Sequence, residues 1–127
     1  MSKLTALLAA WVLMSSTAAE VHAEVSGPDW LPHALDLPED TEVVTSREIG
    51  SSMRLLRLAT TEDADELLGS WRIALLAAGY TVREPQVDLD ALQLSFSGKG
   101  INNAQIAVPN RGQKNRTMIE IDATLDD

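Results

Sequence analysis

The residues able to do chemistry are few and poorly grouped. The chain holds two histidines, His22 and His33, and no cysteine. A Ser-His-Asp triad needs an imidazole held between a hydroxyl and a carboxylate. His33 instead stands in a proline-flanked stretch with few carboxylates near it, and reads as a surface residue. Thiolate catalysis and thiolate metal sites are excluded, and a zinc site usually wants several His or Cys ligands. Glu62, Asp63, Asp65 and Glu66 cluster where a helix should begin, and there they suit its dipole. Asp88 and Asp90 are two apart, so in an extended strand they point the same way, an arrangement that can take a weak hard cation. No glycine at the sixth loop place and no glutamate at the twelfth follow them, so the pair reads as turn polarity. A carboxylate hydrolase needs two carboxyl groups facing across a cleft, and no spacing here implies that. Gly98-Lys99-Gly100 lacks the spacing of a phosphate loop and sits between two strands, so it reads as a hairpin turn. No catalytic residue, metal ligand or cofactor is therefore assigned, and the chain leans away from an enzyme.

Three features suggest binding instead. Arg111, Lys114 and Arg116 form a basic tip on a chain of net charge −9, with Lys99 as a candidate neighbour in space. Such a tip suits an anionic partner, a carboxylate-rich protein or a wall polymer. Trp30 is placed to wall a groove between the segment before the first strand and the helix, which would suit a small ligand or an envelope polymer. Gln93, Ser95, Ser97, Asn103, Gln105, Glu120 and Asp122 should share the face of a sheet turned away from the helix. That face suits docking of a protein or a homodimer contact. The acidic balance repels phosphate backbones and anionic membranes, so nucleic-acid binding is not expected.

The N-terminus has the layout of an export signal. Lys3 and the free amine precede an apolar run from Leu4 to Met14, and small residues follow with cleavage patterns ending at Ala19 or Ala23. The run is about half of the roughly 20 residues needed to cross a bilayer. Residues 1–23 are thus expected to be removed, leaving no stable membrane anchor. There is no Cys to carry a lipid, and the location is expected to be periplasmic or secreted. Removal takes away Lys3 and Glu20, which leaves the net charge at −9. The remainder fits a proline-rich lead-in, residues 24–40, and one domain, residues 41–127, with no disulfide to staple it.

Periodicity supplies the elements that must position these groups. Asp29 is a cap type, so a short helical turn is expected around Trp30 to Leu35 in the lead-in. Thr41 to Glu48 reads as a strand centred on Val43 and Val44. Gly50-Ser51-Ser52 is a turn, and Met53 to Thr60 is the partner strand. Adjacent Leu55 and Leu56 suggest burial on both faces or a bulge there. A helix capped by a threonine of Thr60-Thr61 should run to Ala78, with Gly79 as its stop. Ala64, Leu67, Leu68, Trp71, Ala74, Leu75 and Ala78 form its apolar stripe. Tyr80 to Val87, Ala91 to Ser97, Ile101 to Val108 and Arg116 to Thr124 read as four further strands, with Pro109 to Asn115 as a polar loop. The expected fold is α+β in two layers, one amphipathic helix on an antiparallel sheet, in the order β-β-α-β-β-β-β.

Leu37-Pro38, Val43-Val44, Thr60-Thr61, Trp71, Leu75 and Gly79-Tyr80 carry a resemblance. Over Leu37 to Thr124 the pattern resembles small exported bacterial α+β domains of unknown function, of secreted or lipoprotein type. The resemblance implies the fold and no activity. The chain departs from the lipoprotein members in lacking the lipid-attachment Cys. The combined expectation is an exported, non-catalytic protein-binding module, with a small-ligand or envelope-polymer binder as the alternative and a carboxylate hydrolase behind both.

Overall fold

The structure, a computed structural model, describes residues 27–83, 86–88, 91–109 and 115–126. The expected export signal, Asp90, Arg111 and Lys114 lie outside the described residues. Strand β1 (Glu42–Ile49) and strand β2 (Met53–Thr60) form the first hairpin, turned at Gly50, whose φ is +67°. The irregularity lies in β1, not β2: between Val43 and Thr45 the register slips by one residue. Leu56 is buried and Leu55 half-buried, so the adjacent leucines belong to opposite faces.

Helix α1 (Ala64–Ala77) follows. Its cap corrects the sequence expectation of a threonine. Asp63 takes that place, and its side chain accepts from the Glu66 amide at 3.0 Å. A carboxylate is the better acceptor there because it also meets the positive end of the helix dipole. At the other end Gly79 has φ +95°; its N–H donates to the Leu76 oxygen, and the Tyr80 N–H to the Leu75 oxygen. This is the paired hydrogen bonding of a Schellman stop, which favours glycine at the left-handed position.

The expected single strand from Tyr80 to Val87 is two short ones, β3 (Thr81–Val82) and β4 (Gln86–Asp88), both antiparallel to β5 (Ala91–Gly98). Pro85 falls between them in sequence, outside the described residues. The order is therefore β-β-α followed by five strands, not four. Lys99 and Gly100, at φ +48° and +92°, then turn the chain into β6 (Ile101–Val108). Two positive φ angles in a two-residue loop match the twist of the strands they join. Strand β7 (Thr117–Leu125) completes an α+β fold with one antiparallel sheet, ordered β1-β2-β7-β6-β5-β3, with β4 also on β5. The chain crosses from β2 to the far edge through the helix. Strands β5, β6 and β7 then fill the gap back to β2.

One face of the sheet is apolar and covered. Across β2, β7, β6 and β5, Leu56 lies opposite Ile121, Ile121 opposite Ile106, and Ile106 opposite Leu94. All four are buried, and they join one core with Leu68, Trp71 and Leu75 of the helix and Leu31 and Leu35 of the lead-in. The lead-in is built from turns and not from the expected helical turn: Leu31 N–H donates to the Pro28 oxygen and Leu35 N–H to the Pro32 oxygen. It belongs to the fold through its two leucines, each worth about 1.5–3 kcal/mol of transfer free energy as an upper estimate.

Candidate functional site: the open face of the sheet

Alternation sends every second strand residue to the face opposite the core. Two rows cross it. In one, Arg47, Leu55, Asp122, Gln105 and Ser95 are successive partners; in the other, Thr45, Arg57, Glu120, Ala107 and Gln93. The Arg57 Nε meets the Glu120 Oε1 at 2.9 Å, a cross-strand pair of opposite charge. Arg116 Nη2 meets Glu42 Oε2 at 2.5 Å along the same side, joining the approach to β7 to the edge strand β1. Both pairs are substantially exposed, so each adds at most about 1 kcal/mol. Asp122, next to Leu55 and two residues from Glu120, has its carboxyl pushed above the usual range. Partial loss of water is the main cause and the Glu120 charge the second.

The outward residues expected from alternation are on this face. Gln93, Ser95, Ser97, Gln105 and Glu120 are half-buried among their neighbours, while Asn103 and Asp122 are exposed. Arg116 is also here, engaged with Glu42. Lys99 is not its neighbour. It sits on the β5–β6 turn beside the end of β7, where Ile101 pairs with Leu125, whereas Arg116 precedes the start of β7. The basic tip therefore does not extend to Lys99, whose ammonium lies over the Tyr80 ring at 5.5 Å. Trp30 is on the covered side, partly buried against the core. Trp71 is enclosed in that core, so its indole does not floor an open groove. His33 is exposed.

No family model, curated protein or solved structure matches the chain. The chemistry of the face has to be read from its own residues. No group of three or more His, Asp or Glu among the described residues is placed to hold a metal ion. No helix among them is long and apolar enough to cross a membrane.

A polar site that sequence reasoning missed lies at the junction of lead-in, β2 and helix. Asp40 accepts from the Thr60 hydroxyl at 2.6 Å, from the Thr61 amide at 2.8 Å and from the Thr61 hydroxyl. Those donors, the Thr60 hydroxyl first, lower its carboxyl from 3.8 to about 2. The signal was the Thr60-Thr61 pair, read as a helix cap. Its acceptor is 20 residues away, and only the packed lead-in brings it there.

Proposed function

We propose that the chain is an exported, non-catalytic module that binds a protein through the open face of its sheet. The observation that carries this reading is the one-sided cover: helix and lead-in residues join the core on the inner face, while the outer rows carry no layer among the described residues. That face mixes apolar residues (Leu55, Ala107) with amides, hydroxyls and two ion pairs. A surface of that kind supplies both contact area and orienting hydrogen bonds. The N-terminal layout of charge, apolar run and small residues supports the exported location.

Two measurements test the reading. N-terminal sequencing of protein recovered outside the cytoplasm should begin at Glu20 or Glu24. The mature chain should retain a protein from an envelope extract, and Gln105→Arg with Asp122→Arg should abolish retention without unfolding the domain. Retention unchanged by these substitutions, or an unprocessed chain confined to the cytoplasm, overturns it.

A further inference from the structure

We infer that two copies of this chain pair edge to edge through β1, antiparallel, with Glu42 of each copy opposite Arg47 of the other. The inference rests on the protein-binding reading, names a second copy as one occupant, and assigns it to the β1 edge instead of the open face.

Strand β1 ends the strand order, so one side of its backbone is paired with β2 and the other meets no strand among the described residues. Seven of its eight residues are exposed. The covering layer stops short of it. Val43 shares the inner face with Leu58, yet is 42% exposed, and Ile49 and Met53, which pair on the outer face, are 48% and 51% exposed. Free edges are usually blunted with charged side chains, lysine above all, with proline or with a bulge; β1 has a bulge and the charges of Glu42, Arg47 and Glu48. The sequence EVVTSREI carries neither lysine nor proline and leaves apolar side chains on both faces. An added strand would cover both.

The bulge decides which occupant fits. In a regular strand, residues five apart point to opposite faces. Here the slip between Val43 and Thr45 puts Glu42, which pairs with Ala59, on the same outer face as Arg47, which pairs with Leu55. A two-fold antiparallel pairing sets each residue against one whose number makes a constant sum, and opposed residues must share a face. The bulge satisfies that rule for Glu42 against Arg47, and Val43 then meets Ser46, both on the inner face. The two-fold repeats the charge pair, and opposite charges directly across strands are favourable. Arg47 has no ion pair of its own among the described residues, whereas Arg54 and Arg57 of β2 each have one. Glu42 is already held by Arg116 through one carboxylate oxygen, Oε2, so Arg47 of the second copy would be met by the other. The edge is thus complementary in charge to itself.

The test uses the protein recovered from the expressing cell, at about 0.15 M salt so that the net negative charge is screened beyond roughly 8 Å. Sedimentation velocity should show a concentration-dependent monomer–dimer equilibrium. Arg47→Glu should weaken it by about tenfold or more, since two attractions become repulsions, while melting like the parent. The chain has no cysteine, so Glu42→Cys chains mixed with Arg47→Cys chains should be joined by a short thiol-to-thiol reagent, and either variant alone should not. A chain that stays monomeric at every concentration overturns the pairing. So does a dimer indifferent to Arg47→Glu, or equal cross-linking of the unmixed variants. Should Arg47→Glu fail to fold, the cross-linking pattern decides alone. A monomer that still retains an envelope protein overturns this pairing and leaves the functional reading standing. A dimer that retains nothing does the reverse.

Discussion

The indole Nε1 of Trp71 donates to the main-chain oxygen of Asp36 at 2.9 Å, joining the helix to the lead-in from within the core. The same ring is 1% exposed. It therefore fills space between helix and sheet while its polar edge anchors the segment that carries Leu31 and Leu35. Replacing it by phenylalanine keeps a ring and removes the donor. Trp71→Phe should cost about 1 kcal/mol for the bond, plus a packing contribution from the smaller ring. A lowered denaturant midpoint with an unchanged slope is the expected result, together with faster proteolysis of the lead-in. A variant whose lead-in is no more accessible to protease would show that Leu31 and Leu35 hold it unaided.

Asp40 should make stability depend on acid. Its folded value, about 2, is below the ordinary 3.8, so its contribution is complete above 3.8 and fades as pH falls toward 2. Asp40→Asn should melt lower than the parent at neutral pH, and the two curves should converge across that window. A constant difference down to pH 2 would remove the carboxylate from the account.

Asp122 should behave with the opposite sign. Its carboxyl is raised above 3.8 by lost hydration and by Glu120, so the folded state prefers it protonated. The stability linked to that proton is present below 3.8 and is lost as pH rises through the folded value. Asp122→Asn should accordingly be as stable as the parent or more so at neutral pH, with the advantage vanishing in acid. Thermal melts from pH 3 to 7 measure this directly, and a destabilised neutral-pH melt would contradict it.

Gly79→Ala probes the helix stop. At φ +95° a side chain is strained, and a cost of about 1–2 kcal/mol is expected. The nearest heavy atom to an added Cβ is the Lys99 Cε at 3.6 Å, so the penalty is conformational and not a clash. A melt equal to the parent's would mean that the helix end relaxes elsewhere.

Leu75 is fully buried in the core between helix and sheet. Leu75→Ala should cost about 2–5 kcal/mol, and Leu75→Asp should prevent folding near neutral pH, because an unpaired charge would replace packed methyl groups. Circular dichroism melts of both variants separate the two outcomes.

Several features were legible in the chain itself because their causes are local. Alternation from Leu92 to Phe96 separated inward Leu92, Leu94 and Phe96 from outward Gln93 and Ser95, and the structure keeps that division. Gly79 announced the helix end because few other residues tolerate its backbone angle, and Gly98-Lys99-Gly100 announced a hairpin for the same reason. The thin supply of histidine and the lack of cysteine leave little nucleophilic or metal-ligating chemistry in the chain, so its surfaces are what it has to offer. Where two local signals competed, the reading slipped. Thr60 and Thr61 looked like helix caps, but their hydroxyls serve Asp40, and Asp63 caps instead. The segment from Tyr80 to Val87 looked continuous, and the ladder divides on either side of Pro85 in sequence.

Tertiary structure alone decided the rest, because the deciding distances run between segments remote in sequence. Arg57 finds Glu120, and Arg116 finds Glu42, only once β7 is inserted beside β2. Lys99 and Arg116 are both basic and follow successive strands, yet antiparallel pairing sends them to opposite ends of the sheet. The one-residue slip in β1 is invisible in EVVTSREI, since nothing in those side chains marks it; it comes from the partner strand's register. Composition and periodicity determined an acidic, cysteine-free α+β chain with a polar outer face. Strand order determined which charges meet across that face, and which strands end the sheet among the described residues.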